Sequence, residues 1–267
     1  MTDYTTTDYK TDKLILEIDG HTAVITFNNA PANTWTEDSL KGLVSMVEDL
    51  NANRDVYALV LRSTSDKFFS AGADLKLFAD GDRTVARDMG RYFGLAFETL
   101  SQFRGVSIAA INGFAMGGGL EVALACDIRV AEEQAQMALP EAKVGLLPCA
   151  GGTQNLTMLV GEGWAKRMIL CGERVKAPLA KEIGLVEELV EPGQAFERAM
   201  AMAKMVEQQS PTAVAACKQL IQNNRTRSWN DGLILERELF VDLFHTEDQK
   251  EGVNAFLEKR APEWKNR

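Results

Sequence analysis

Two glutamates that stand among apolar residues are the side chains of this sequence best suited to acid–base chemistry. The first, Glu121, carries the one charge in the segment SIAAINGFAMGGGLEVALAC (107–126). Its helix neighbours offer no partner of opposite charge, and burial of an unpaired carboxylate raises its pKa. A carboxyl group that titrates near neutral pH can act as a general acid or base. The alternative is a structural role, in which Glu121 pairs with an arginine from elsewhere in the chain.

A second carboxylate follows twenty residues later in a similar setting. Glu141 stands in ALPEAKVGLLPCAGGTQ (138–154), directly after Pro140, where a turn or short helix is expected to begin. Taken alone, Glu141 is a first-turn helix acid of the kind that the helix dipole favours. Two such carboxylates near the ends of neighbouring strands favour a paired acid–base function with coupled titrations.

Three consecutive glycines, 117–119, precede Glu121 and favour an anion-binding helix N-terminus. The first N–H groups of a helix lack intrahelical acceptors, and glycines let a ligand oxygen approach them closely, as an oxyanion hole requires. The alternative is close packing of the helix against a strand. The segment FFSAGADLKLF (68–78) can supply a second N–H at another strand end, or it is a plain turn with a helix N-cap.

Other catalytic chemistries are disfavoured. The motifs G-x-G-x-x-G, G-K-[ST], G-x-S-x-G and H-E-x-x-H are absent from the sequence. Only two histidines occur, His21 in a predicted hairpin turn and His245 near a predicted helix end. A His-based triad or a His-rich metal site is therefore not expected.

Charge and cysteine content indicate the setting in which the protein works. The 29 Lys and Arg against 38 Asp and Glu give a net charge of −9, which repels polyanions and disfavours nucleic-acid binding. The N-terminus, MTDYTTTDYKTDK, has no apolar export signal or Arg-rich transit bias, and Asn112-Gly113 interrupts the apolar segment 107–126, so no membrane span is expected. A cytoplasmic location is expected, with four separated cysteines as reduced core residues: Cys126, Cys149, Cys171 and Cys217.

Hydrophobic periodicity predicts the elements that position these residues. Short β-branched runs alternate with helical patterns through the first two thirds of the chain, which is typical of an α/β layer fold. From about residue 195 onwards the strand signal ends and amphipathic helices follow. We therefore predict a core over 1–194 and a helical C-terminal subdomain over 195–267. The predicted elements are a hairpin (14–19 and 22–27), helices (37–52 and 84–103) and strands (57–62, 106–111, 127–131 and 185–190).

Three segments, taken together, closely resemble the enoyl-CoA hydratase/isomerase, or crotonase, superfamily. They are FFSAGADLK, INGFAMGGGLEVALACDIRVA and ALPEAKVGLLPCAGGTQNL, in this order and spacing, and the resemblance extends to EGVNAFLEKR (251–260). The resemblance implies a spiral of ββα turns followed by a helical C-terminal subdomain. It also implies an acyl-CoA thioester as substrate, assembly as a homotrimer or dimer of trimers, and no cofactor, because coenzyme A is part of the substrate.

The resemblance also implies a role for particular residues. The backbone N–H groups of Ala73 and Gly118 would form the oxyanion hole, and Glu121 and Glu141 would be the two glutamates of a hydratase. Seven further residues would contact coenzyme A: Ala71, Asp74, Leu75, Lys76, Phe240, Phe256 and Lys259.

The implied activity is that of a hydro-lyase, which adds water across the 2,3 double bond of a 2-enoyl-CoA. The alternatives are an enoyl-CoA isomerase, or a hydratase that also hydrolyses the thioester of a special acyl-CoA of the methylthioacryloyl or hydroxyisobutyryl type. RNA binding, a non-catalytic alternative, is disfavoured by the net negative charge of the chain.

One departure from the superfamily pattern is PANTWT (31–36), where Trp35 either alters the acyl pocket or anchors the core.

Overall fold

A computed structural model describes residues 2–3 and 9–267, so residue 1 and residues 4–8, part of the polar leader, lie outside the described residues. The strands are β1 (Thr2–Asp3), β2 (Leu14–Asp19), β3 (Thr22–Phe27), β4 (Thr34–Trp35), β5 (Ala58–Ser63), β6 (Phe68–Ser70), β7 (Gly72–Ala73), β8 (Val106–Ile111), β9 (Phe114–Met116), β10 (Ile128–Glu132), β11 (Gln136–Ala138), β12 (Val175–Lys176) and β13 (Glu188–Val190). The helices are α1 (Glu37–Ala52), α2 (Arg83–Ser101), α3 (Gly118–Ala125), α4 (Gly152–Leu170), α5 (Ala177–Glu182), α6 (Ala195–Glu207), α7 (Pro211–Asn223), α8 (Trp229–Asp242) and α9 (Glu247–Glu258). Short 3₁₀ helices span Leu75–Phe78, Glu141–Val144 and Leu243–His245.

The largest sheet has the strand order β1-β2-β3-β5-β8-β10-β13. Its β2–β3 pair is the predicted antiparallel hairpin, and Gly20 in the turn has φ +61°, a conformation that glycine adopts without a steric cost. From β3 onwards the neighbouring strands run parallel. Every residue of β3 is buried, as expected for a strand that is covered on both faces.

Successive turns of the chain repeat one pattern. Each turn places a strand in the large sheet, then a strand in a second sheet of order β12-β11-β9-β6, and then a helix. The turns are β5-β6-α2, β8-β9-α3 and β10-β11-α4. Strands β6, β9 and β11 are parallel to one another, so equivalent strand ends lie at the same side of the molecule. The predicted α/β spiral of ββα turns, with helices at the C-terminal end, is confirmed.

Trp35 anchors the main hydrophobic core. Its side chain is 1% exposed, and its ring makes edge contacts with Phe27 at 5.2 Å and Phe97 at 5.3 Å between ring centroids. A short third sheet pairs β4 with β7 and sets Trp35 opposite Ala73. The core-anchor interpretation of Trp35 is therefore correct, and its neighbour Thr34 contributes to the cavity described below.

The other face of the large sheet is covered by α6. Ala195, Ala199 and Ala203 of this helix pack against a layer of strand residues that includes Val60 and Ile108. The helix that begins at Ala195 therefore shares a core with the sheet. The division into 1–194 and 195–267 stays a prediction.

The helices α7, α8 and α9 complete the C-terminal region. The ammonium of Lys218 on α7 donates to the carboxylate of Asp127 at 2.6 Å and to the carbonyl oxygens of Phe103 and Gly105. This buried contact ties α7 to the strand β8 and to the end of α3. None of the helices described is both long and apolar enough to cross a bilayer.

Some predictions from the sequence need correction. The strand predicted over 185–190 is only Glu188–Val190, because Leu185 and Val186 pack into the core ahead of it. The helix predicted over 84–103 ends at Ser101, and Phe103 is a buried residue of the following turn. The prediction of core cysteines is wrong for three of the four: all are free thiols, but only Cys126 is buried, whereas Cys149, Cys171 and Cys217 are exposed at loop or helix surfaces.

Replacement of Trp35 by alanine is expected to lower the free energy of unfolding by about 3–5 kcal/mol, the usual cost of truncating a fully buried tryptophan. The matched control is Trp229→Ala, since Trp229 is 74% exposed and its loss should change stability by no more than about 0.5 kcal/mol. Urea unfolding followed by circular dichroism measures both. Equal losses in the two variants would contradict the assignment of Trp35 as the core anchor.

Candidate active site

One cavity of about 890 Å³ opens between the parallel strand ends and α2. Its volume is within the range of small-molecule sites, and most of its exposed lining is apolar. The predicted site residues found on its wall are Ala71, Ala73, Asp74, Leu75, Gly118, Glu121 and Glu141. The structure thus brings together residues from three separate turns of the spiral.

Glu121 lies in the first turn of α3 and is only 2% exposed. Its Oε1 accepts hydrogen bonds from the backbone N–H groups of Ala150 at 2.8 Å and Gly152 at 2.9 Å. Burial raises the pKa of Glu121, and these two hydrogen bonds oppose the rise. Within the described residues it pairs with no arginine, so the structural alternative of a distant ion pair is not observed.

Gly152 is required for this contact. A Cβ added at Gly152 would lie 2.7 Å from Oε1 of Glu121, a distance too short for a real side chain. The preceding Gly151 is the N-cap residue of α4 and has φ +87°, in the left-handed conformation. The glycine pair therefore lets the N-terminus of α4 approach a buried carboxylate, to which two N–H groups at that helix end donate.

Glu141 begins the 3₁₀ helix that follows Pro140, so the predicted short helix is present. Its pKa is raised to about 7, mainly by burial; the negative charge of Glu121 contributes to the rise, and a backbone hydrogen bond opposes it. Within the described residues, its buried Oε2 has no hydrogen-bond partner. Its Oε1 lies 3.0 Å from the position that a Cβ on Gly117 would occupy. A half-buried carboxyl with a free oxygen is therefore directed at the glycine turn ahead of α3.

At each of the three glycines before Glu121, a side chain is disfavoured for a different physical reason. Gly117 has φ +54° and leaves room for Glu141. A Cβ on Gly118 would meet the ring of Phe93 at 2.9 Å, and one on Gly119 would meet the carbonyl oxygen of Ser70 at 2.1 Å. Close packing, the alternative interpretation, thus applies to Gly119, whereas Gly118 is the first residue of α3 and lines the cavity.

The β7 segment closely approaches the start of α3. Gly72 has φ +86°, and a Cβ there would lie 3.0 Å from the backbone nitrogen of Gly118. Ala73, the next residue, also lines the cavity. The N–H of Gly118 has no acceptor within its helix because of its position at the helix N-terminus. Two backbone segments from different spiral turns thus meet at one point of the cavity wall.

Four predicted contact residues lie outside this cavity in the structure described. Lys76 is an exposed residue of the 3₁₀ helix next to Leu75. Phe240, at 63% exposure, and Phe256, at 83%, belong to α8 and α9, and Lys259 ends α9. Their contact with coenzyme A stays a prediction.

Two cations on the cavity wall were missed by the sequence interpretation. Lys143 and Arg174 line the cavity, and neither forms an ion pair with the described residues. Lys143 lies two residues after Glu141, and Arg174 immediately precedes β12. Proximity to Glu141 could have suggested Lys143, but Arg174 reaches the cavity only because β12 pairs with β11.

Comparison with known proteins identifies the family of this chain. The sequence model of the enoyl-CoA hydratase/isomerase family matches residues 17–267. The chain is 38% identical to the short-chain-enoyl-CoA hydratase of Clostridium acetobutylicum, over 96% of this chain and 99% of that protein. It is 36% identical to the 2,3-dehydroadipyl-CoA hydratase of Escherichia coli, over 96% of this chain and 99% of that protein.

Solved structures show the same fold. The structure of Pseudomonas aeruginosa DspI is 64% identical and superposes with a TM-score of 0.94, covering 96% of this chain and 98% of that chain. An enoyl-CoA hydratase from Bacillus anthracis is 35% identical, with a TM-score of 0.92 over 96% of this chain and all of that chain.

This chain belongs to the enoyl-CoA hydratase/isomerase family, as the resemblance of its motifs predicts, and it has the crotonase fold. The relatives named as enoyl-CoA hydratases are hydro-lyases, which is the enzyme class predicted from the sequence, and the prediction of an enzyme is confirmed.

The stability of the protein is expected to depend on the protonation of Glu141. Because its pKa is about 7 in the folded state against 4.5 in the reference state, the folded protein holds more protons between these values. The free energy of unfolding should therefore fall as pH rises through this window. Glu141→Gln stays neutral, so its stability advantage over the wild type should grow from pH 5 to pH 8 in urea unfolding.

The matched control is Glu48→Gln, which removes an exposed carboxylate on α1. Its stability difference from the wild type should stay nearly constant over the same pH range. A constant difference for Glu141→Gln as well would show that Glu141 titrates like a surface carboxyl.

Proposed function

We propose that this protein adds water across the 2,3 double bond of a 2-enoyl-CoA thioester. The observation that carries the proposal is the meeting of two buried or half-buried carboxyls with the N-terminus of α3 in one apolar cavity. The names of the relatives, short-chain-enoyl-CoA hydratase among them, support the same reaction.

The N–H groups of Ala73 and Gly118 are proposed to hold the thioester carbonyl oxygen. When the oxygen of water bonds to the β-carbon, the electron pair of the double bond moves through the α-carbon, and an enolate oxygen develops at that carbonyl. Donors fixed in advance stabilise such a charge, and removal of one typically costs about 2.7–4 kcal/mol in activation free energy. The close approach of Gly72 to Gly118 supports this pairing of donors.

The two glutamates are proposed to divide the proton transfers around one water molecule. Two N–H donors favour the ionised form of Glu121, which suits it to accept the proton of the attacking water. The pKa of Glu141, raised to about 7, suits it to deliver a proton to the α-carbon. One carboxyl then gains a proton as the other loses one, and the enolate collapses to the hydrated thioester.

Two alternative reactions could take place in the same cavity. An isomerase would return the proton to a different carbon of the acyl chain, without net addition of water. A hydratase that also hydrolyses its thioester would release free coenzyme A. The presence of both Glu121 and Glu141 favours hydration.

The test is a steady-state assay of 2-enoyl-CoA substrates of different acyl length, which follows loss of the enoyl thioester absorbance alongside release of free thiol. Loss of absorbance without thiol, in the presence of a chelator, is the expected result and indicates hydration that needs no metal. Stoichiometric thiol release would show that the protein hydrolyses the thioester, and the proposed activity would then change from hydration to hydrolysis. Absence of any absorbance change with every acyl chain would overturn the proposal.

Glu121→Gln and Glu141→Gln are each expected to lower kcat by at least ~10²-fold, the usual scale for loss of a positioned acid or base. The double variant should be little worse than the poorer single variant, because both groups serve one step. Glu133→Gln, which removes a carboxylate near β10 and outside the cavity, is the control. Near-native hydration by a folded Glu141→Gln protein would remove Glu141 from the mechanism.

A homotrimer or a dimer of trimers is proposed as the assembly. The helix α8 and the following 3₁₀ turn expose several large apolar side chains, among them Ile234, Phe240, Val241 and Phe244, and α9 exposes three more: Val253, Phe256 and Leu257. Exposed apolar surface of this kind is typical of a protein–protein interface. Because Phe240 and Phe256 do not line the cavity of their own chain, we propose that another copy presents them to coenzyme A.

Analytical ultracentrifugation at micromolar concentration is expected to give three or six times the chain mass of 29.4 kDa. Phe240→Asp should shift the distribution towards smaller species, since it places a charge in the apolar surface. Met205→Asp, an equivalent change at a 58% exposed residue of α6, should leave the mass unchanged. A sedimenting mass equal to that of one chain for the wild type would contradict the proposed assembly, but it would not contradict the proposed reaction.

A further inference from the structure

A second cavity, of about 530 Å³, lies between the C-terminal end of α2, the helix α7 and Asn266. Its wall is made mainly of cationic and amide side chains, among them Arg54, Arg104, Lys218, Gln102, Gln219 and Asn223. Within the described part of the chain no carboxylate lines it, and it has no lining residue in common with the active-site cavity.

Arg104 provides the central cation of this cavity. Its Nη1 donates to Oδ1 of Asn266 at 2.7 Å, and its Nη2 donates to the carbonyl oxygen of Asn53 at 3.2 Å. Its Nε is buried and has no hydrogen-bond partner among residues 2–3 and 9–267. The guanidinium is thus held in place by neutral oxygens, and each of its two terminal nitrogens carries one further N–H.

Arg54 places a second positive charge beside the first. Burial and the charge of Arg54 both lower the pKa of Arg104, and no carboxylate acts on Arg104 to oppose them. Neither arginine forms an ion pair with the described residues. Two like charges that share a cavity repel each other, and an anion between them would remove that repulsion.

The third cation, Lys218, is already saturated. Its ammonium donates to Asp127 and to two backbone carbonyls, so it fixes the cavity wall rather than adding a free donor. The amide side chains of Gln102, Gln219 and Asn223 make no hydrogen bond with the described residues. Five side chains with available N–H donors therefore surround the space.

We propose that this cavity is a binding site for a phosphate group, either as free inorganic phosphate or as the phosphomonoester of a nucleotide-sized molecule. The planar guanidinium presents paired donors that match phosphate oxygens, and two of them share this cavity. The volume is within the range of small-molecule sites, so a molecule larger than the ion alone can be accommodated. This assignment does not depend on the reaction proposed for the other cavity.

The test is isothermal titration calorimetry of the whole protein in a phosphate-free buffer of low ionic strength, with inorganic phosphate and uridine 5′-monophosphate as probes. Uridine is the phosphate-free control. The wild type is expected to bind one phosphate probe per chain with a saturable heat. Tighter binding of the monophosphate than of inorganic phosphate identifies a phosphomonoester site, and equal binding identifies a site for the free ion.

Arg54→Gln and Arg104→Gln are each expected to weaken binding by at least ~10-fold, the effect of losing a charge-assisted hydrogen bond. Arg54 is exposed and makes no ion pair, so Arg54→Gln should fold normally even if Arg104→Gln loosens the contact with Asn266. Arg174→Gln, which removes a cation from the active-site cavity, is the matched control and should bind as the wild type does.

Three results would overturn the proposal. One is the absence of a saturable heat with either phosphate probe. Another is loss of binding in Arg174→Gln but not in Arg54→Gln, which would place the phosphate in the active-site cavity. The third is a fall in sedimenting mass for Arg54→Gln, which would show that acidic residues of a neighbouring copy occupy this cavity.

Discussion

The burial of Glu121 is the constraint on which the rest of the site depends. A carboxylate that is 2% exposed would be strongly disfavoured without partners, and here its partners are two backbone N–H groups at the start of α4. Backbone donors supply hydrogen bonds without the full charge of an arginine. They hold the carboxyl in one orientation and leave its pKa raised, whereas a buried ion pair would have lowered it.

This contact requires several backbone segments to approach more closely than side chains permit. Gly152 approaches Glu121, Gly119 approaches the strand end at Ser70, and Gly72 approaches the N-terminus of α3. Each approach joins segments from different turns of the spiral, because consecutive turns lie side by side in the parallel sheets. The repeated strand–strand–helix pattern therefore brings distant glycines and carboxyls to one place.

The helix α7, which follows α6, is attached to the spiral through polar contacts. Lys218 of α7 reaches Asp127, which directly follows the helix that bears Glu121. The same attachment forms one wall of the arginine-lined cavity. The C-terminal helices thus contact the spiral close to the end of α3, the helix that bears Glu121, and leave apolar side chains on their outer surfaces.

The sequence by itself was sufficient for the fold class, and seven of the residues that it singled out line one cavity. Hydrophobic periodicity indicated the hairpin and the alternation of strands and helices, because burial against a common layer imposes that periodicity on local sequence. Two carboxyls in apolar surroundings and a run of glycines indicated acid–base chemistry beside a helix N-terminus, since neither feature is favoured in an ordinary core.

The tertiary structure alone decided what each of these residues contacts. No local pattern shows that Glu121 is bound by Ala150 and Gly152 rather than by an arginine, because the partners are some thirty residues away and act through their backbones. The exposure of three cysteines and the burial of Trp35 likewise depend on which surfaces the turns of the spiral cover. The packing of distant segments brings three arginines to the two cavities: Arg174, Arg54 and Arg104. The pattern of charges along the chain does not show which segments pack together.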